Sequence, residues 1–90
     1  MTLNKYGFIV KGPGYDPSYH HARLESPEFM TVVLGVSTSE KAISAAQELV
    51  KDGIQLIEIC GGFDLETKVR IEKAIGFVIP VGMVGYSDGE

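Results

Sequence analysis

No stretch constrains the fold of this chain more than Ile54-Gln55-Leu56-Ile57-Glu58-Ile59-Cys60-Gly61-Gly62-Phe63. Its apolar run has the length of a buried strand, and the two glycines that end it let the backbone turn sharply. Asp64 follows as the expected N-cap of a helix over about 65–75, with Leu65, Val69, Ile71, Ala74 and Ile75 on its apolar side. A strand that passes through a short turn into a helix opens a βαβ unit, which commits the chain to an α/β fold. Strand alternation puts Ile54, Leu56, Glu58 and Cys60 on one face, and Gln55, Ile57 and Ile59 on the other. Glu58 and Cys60 are then same-face neighbours, about 6–7 Å apart along the strand.

The flanking segments repeat the pattern. Tyr6 to Val10 forms the first expected strand, closed by Gly12-Pro13-Gly14. Asp16-Pro17 has the form of an N-cap and first helical residue, so a short helix is expected through Ser18, Tyr19, His20, His21, Ala22, Arg23 and Leu24. Ser26-Pro27 would stop it. Phe29 to Val36 is a second strand with almost no polar residue, as suits a strand covered on both sides. Ser37 and Glu40 match a capping box for a helix over about 38–52, with Ala42, Ile43, Ala46, Leu49 and Val50 as its apolar stripe and Gly53 beyond its end. Val78 to Val84 is the fourth strand. Pro80 has no N–H to donate, which places that strand at an edge.

The expectation is an α/β domain over residues 1–86, with a polar tail at 87–90. Its four strands form a mostly parallel sheet in the order 2-1-3-4 or 1-2-3-4. Order 2-1-3-4 would put the short first helix on one sheet face and the other two on the opposite face. Order 1-2-3-4 would leave one face bare. Either way the cover is thin, and a chain of 90 residues buries only about 60–65% of the surface its unfolded form exposes. A second subunit is expected to complete the cover, making the protein a homo-oligomer.

Composition narrows the function. A net charge of −4 with scattered Lys and Arg offers no basic stripe, so a nucleic-acid partner is not expected. No apolar run approaches the ~18 residues of a membrane span, so no membrane partner is expected either. A single cysteine leaves no internal disulfide framework, and the cytoplasm is the expected compartment.

The chemistry-bearing residues gather at turns that open helices. The amides of Gly61, Gly62 and Phe63 stand where a phosphate or carboxylate could sit at a helix N-terminus; the alternative is a turn that merely needs glycine. No phosphate-loop lysine and no third glycine at dinucleotide spacing follows. Cys60 is a candidate nucleophile, or a small packed apolar group. Glu58 is the odd residue of an apolar strand. It is either a proton-transfer carboxylate or a structural one paired with His20, His21 or Arg23. His20 is the histidine carried as a catalytic candidate. Adjacent His20 and His21 point about 100° apart on a helix, so a metal site would need Cys60 and Glu58 by tertiary convergence, and none is expected. Tyr15, Asp16, Ser37 and Tyr86 are expected at the same sheet edge, where open α/β sheets bind ligands.

Phe8-Ile9-Val10, Asp16-Pro17 with His20, Glu25-Ser26-Pro27, Leu56 to Phe63, and Ile79-Pro80-Val81-Gly82 together resemble a family of small prokaryotic single-domain α/β proteins known only as a domain of unknown function. The resemblance spans nearly the whole chain, and Glu-x-Cys-Gly-Gly-Phe is its most specific piece. It implies an intracellular single-domain protein and transfers no catalytic role. The leading expectation is therefore a homo-oligomer that binds a small anionic metabolite at the Cys60-Gly61-Gly62 turn. The alternatives are an enzyme using Glu58, His20 and Cys60 for proton transfer or covalent chemistry, and a structural or regulatory oligomer without ligand. The residues name no cofactor.

Overall fold

The computed structural model describes residues 2–85. Along the chain come β1 (Lys5–Lys11), β2 (His21–Glu25), β3 (Met30–Val36), α1 (Ser39–Lys51), β4 (Leu56–Ile59), α2 (Leu65–Ala74) and β5 (Val81–Met83). One five-stranded sheet has the order β2-β3-β1-β4-β5. β3, β1, β4 and β5 run parallel, and β2 is antiparallel to β3. The four expected strands thus keep the order 2-1-3-4, and a fifth strand is added outside them. β5 lies at the edge, directly after Pro80.

That added strand corrects the expected first helix. Asp16 does begin a turn, since the amides of Tyr19 and His20 both donate to its carbonyl. The turn ends at once, and His21–Glu25 pairs with Met30–Leu34 as a strand. Two isolated turns of helix would have little to stabilise them. Five residues along an open sheet edge gain a ladder instead. Ser26 makes the corner, its amide bonding Phe29 O at 2.9 Å and its Oγ accepting from Phe29 N at 3.0 Å.

α1 forms where the apolar stripe placed it, with one correction at its start. The N-cap is Thr38, whose side chain accepts from Lys41 N at 3.1 Å; Ser37 does not cap it. Gly53 follows the C-cap with φ +87°, the left-handed conformation that glycine adopts without penalty. α2 begins at its expected cap, Asp64, which accepts from Thr67 N at 2.8 Å.

Both helices pack on the same side of the sheet. Ala42, Ala46 and Leu49 of α1 and Ile71 of α2 join Ile9, Val36, Ile57, Ile59 and Val81 in one core. α1 approaches β1 so closely that a Cβ on Gly7 would meet Leu49 Cδ1 at 3.0 Å. Ser39 Oγ and Thr67 Oγ1 share a hydrogen bond of 2.8 Å, tying the two helix starts together. Strand alternation turns Tyr6, Phe8, Val10, Glu58 and Cys60 the other way. The helix expected to cover that second face is the segment that became β2, so the face carries no helix.

Candidate functional site

The strand register fixes what shares the helix-free face. Tyr6 pairs with Leu56 and Thr31, Phe8 with Glu58 and Val33, and Val10 with Gly35. Glu58 sits in this apolar setting on an interior strand, as its neighbours Ile57 and Ile59 require. Its partner is Tyr6, whose hydroxyl donates to Glu58 Oε1 at 2.6 Å. The structure therefore corrects the alternative that paired Glu58 with His20, His21 or Arg23. Burial, and then the hydrogen bond and charge of Glu58, push the Tyr6 hydroxyl up to about 12, so Tyr6 remains a donor across the physiological range. On its other side Glu58 lies over Gly82 of β5, where an added Cβ would come within 3.7 Å of Oε2.

Tyr6 was not singled out from the sequence. The signal was available in the order 2-1-3-4, which makes β1 and β4 neighbours and brings their outward-facing polar side chains into reach.

Cys60 follows β4 on the same face. Its amide donates to Ile9 O at 3.1 Å, and its sulfur accepts from Lys11 N at 3.2 Å. The thiol is free and half-buried. The turn then closes with Phe63 N donating to Cys60 O at 3.2 Å. Phe63 is buried and its amide is spent inside the turn, whereas Gly61 and Gly62 are exposed. Lys11 ends β1 beside them, its Nζ 5.9 Å from the Phe63 ring centroid. Asp64, at the head of α2, is held below its ordinary carboxylate range by its bonds from Thr67, with a smaller contribution from the Lys11 charge. The edge thus joins one ammonium to two exposed glycine residues and one ionised carboxylate.

His20 belongs to a different part of the rim. Its Nδ1 accepts from Asp16 N at 2.9 Å, and its ring lies 5.3 Å from that of Tyr15. Gly35 N donates to His20 O, and Tyr15 packs over Gly12 and Gly35. This places His20 at the end of β3, with β1 between it and Cys60. Glu58 and Cys60 are brought together, and His20 is not brought to them. Asp16 bonds Lys41 Nζ at 2.9 Å, which with the Ser18 amide holds its carboxyl below the ordinary range. His21 Nδ1 is 2.8 Å from Pro17 O. Tyr86 lies outside the described residues.

Among the described residues, no three His, Cys, Asp or Glu side chains converge as metal ligands. Two cavities of about 570 and 480 Å³ lie elsewhere, one between α1 and the Asp16 turn, the other at the opposite sheet edge around Gly53 and Pro80. Neither is lined by Glu58, Cys60 or the glycine turn.

Residues 4–90 match a family of unknown function, DUF6506. The chain belongs to the DUF6506 family. A shorter likeness reaches the protein transport protein SSS1 of Saccharomyces cerevisiae, 39% identical over 49 residues. That alignment covers 53% of this DUF6506 chain and 61% of the yeast protein. No solved structure matches the chain. No described helix of this DUF6506 protein is long and apolar enough to cross a membrane.

Proposed function

We propose that this protein is a cytoplasmic small-molecule-binding domain that works as a homo-oligomer and holds an anionic metabolite at the carboxyl edge of its sheet. The anionic group sits at the exposed amides of Gly61 and Gly62, with Lys11 supplying the balancing charge. The observation that supports this most is the placement of the Lys11 ammonium against the ring of Phe63, at the head of that turn. A cation beside exposed glycine backbone is the combination that binds phosphate and carboxylate groups. Asp64 competes for the same cation, which favours a ligand whose anionic group lies on the turn's outer side, away from the α2 cap. Glu58 and Cys60 would face the rest of the ligand.

The test is thermal unfolding with inorganic phosphate, sulfate and simple mono- and dicarboxylates. A ligand at one hundred times its Kd adds about 2.7 kcal/mol of stability. For a domain this size that raises Tm by roughly 10 °C or more. Lys11→Gln should remove most of the rise. No response to any anion, or a full response in Lys11→Gln, would overturn the proposal.

A second reading, an enzyme, draws support from the 2.6 Å bond between Tyr6 and Glu58. There Glu58 accepts a substrate proton while Tyr6 holds the carboxylate in place. This reading no longer needs His20.

A further inference from the structure

We propose that the free edge of β2 pairs with the same edge of a second copy of this chain, antiparallel about Leu24, so that one sheet runs through two subunits. This rests on the oligomeric half of the proposed function, whose contact it names, and is independent of the ligand half. Of the two sheet edges, β5 is three residues long and directly follows Pro80. β2 is five residues long, contains neither proline nor glycine, and keeps an unbroken register with β3 from His21 to Glu25. It therefore lacks the proline or bulge that closes many edges to a further strand.

The ladder to β3 determines which backbone groups this edge offers. Gly35 N donates to His20 O, and Ser26 N donates to Phe29 O, at the two ends of the hairpin. Hydrogen-bonded and non-hydrogen-bonded positions alternate along an antiparallel pair, so Ala22 and Leu24 also turn their N–H and C=O groups toward β3. His21, Arg23 and Glu25 turn theirs outward, where no strand of the described residues meets them.

The side chains choose both the occupant and the register. A two-fold axis normal to the sheet at Leu24 sets Arg23 opposite the partner's Glu25, and Glu25 opposite the partner's Arg23. These are the outward-directed positions, so each pair exchanges backbone hydrogen bonds as well as opposite charges. Both side chains are more than half exposed, and their contact within one chain is long, at 3.8 Å. Leu24, 69% exposed in one copy, meets the partner's Leu24 on the other sheet face. An axis at Arg23 or at Glu25 would set a charge against its own copy, and an axis at Ala22 would set Arg23 against the partner's His21. An unrelated strand would have to present an acid, an apolar residue and a base opposite Arg23, Leu24 and Glu25. A second copy carries them already. An edge contact this short belongs to the small, transient class of interfaces, so the dimer is reversible and concentration-dependent.

The test is sedimentation of the full chain without ligand, from low micromolar to submillimolar concentration, with charge-reversal variants. The wild type should pass from monomer to dimer over that range. Arg23→Glu and Glu25→Arg should each weaken the dimer roughly tenfold, and the double reversal should restore it. All three change exposed side chains, and an unchanged circular-dichroism spectrum checks that the fold persists. Oxidation of Leu24→Cys should give a covalent dimer, because opposed non-hydrogen-bonded residues bring their Cα atoms to about 4.5 Å, within disulfide reach. Ala22→Cys, opposite the partner's Ser26, should not. Protection of the β2 amides should grow with protein concentration yet stay below that of β1 and β4, since the dimer opens by dissociating. A monomer at every concentration would overturn the proposal together with the oligomeric reading. A dimer indifferent to the single reversals, or not restored by the double one, would refute this edge while leaving the oligomer standing. The anion response of Lys11 is read separately, so failure of one does not hide failure of the other.

Discussion

At the scale of single residues, Tyr6 is held by two influences of the same sign. Burial disfavours its phenolate, and so does the neighbouring Glu58 carboxylate. The folded state therefore keeps the Tyr6 proton to about 12, whereas the free side chain loses it near 10.0. A group with a raised folded value contributes stability that is complete below pH 10.0 and drains away as pH climbs to about 12. Urea midpoints measured across that window should fall more steeply for the wild type than for Tyr6→Phe. Parallel slopes would show that the pair is not coupled. The unusual character of Glu58 was legible because a lone acid inside an apolar run must be compensated. Its partner was not, because the Tyr6–Glu58 contact spans 52 positions and depends on which strands are neighbours. The same dependence kept His20 among the site candidates: its type suits proton transfer, but only the sheet order puts β1 between it and Cys60.

At the scale of elements, the cap of α1 and the identity of β2 carry the same lesson. Ser37-Thr38-Ser39 offers three side chains able to cap, and the pattern Ser37–Glu40 favoured the first. The helix starts one residue later because β3 continues through Val36 and Ser39 is drawn to Thr67. Thr38→Ala should then cost about 1 kcal/mol and Ser37→Ala only a few tenths. Thermal unfolding would register the first as a drop of roughly 4–8 °C. Equal losses would mean that the cap is shared. In β2, His21-Ala22-Arg23-Leu24-Glu25 alternates small or apolar with polar residues, which is a strand period. Asp16-Pro17 supplied a strong helix start just before it, and its single turn does form. What local sequence does not disclose is that β3 ends the sheet unless another strand pairs with it.

At the scale of the whole molecule, the loss of one expected helix decides where stability and function can lie. The parallel order survives because apolar runs and two capped helices specify it locally, and right-handed crossovers then leave few arrangements. The uncovered face follows from the segment between β1 and β3 joining the sheet as an edge strand. Stability should accordingly be graded across the sheet. β1 and β4 are paired on both sides and bury Ile9, Ile57 and Ile59 completely under the helices. Every residue of β2 is exposed, and one of its edges is unpaired. Native-state amide exchange should therefore protect the interior amides of β1 and β4 to the level of global unfolding. The β2 amides should exchange by local opening, at least about tenfold faster, since even 1.4 kcal/mol of difference in opening energy has that effect. Equal protection in β2 and β1 would require a cover over β2 that the chain itself does not supply, since every residue of that strand is exposed and its outer edge is unpaired.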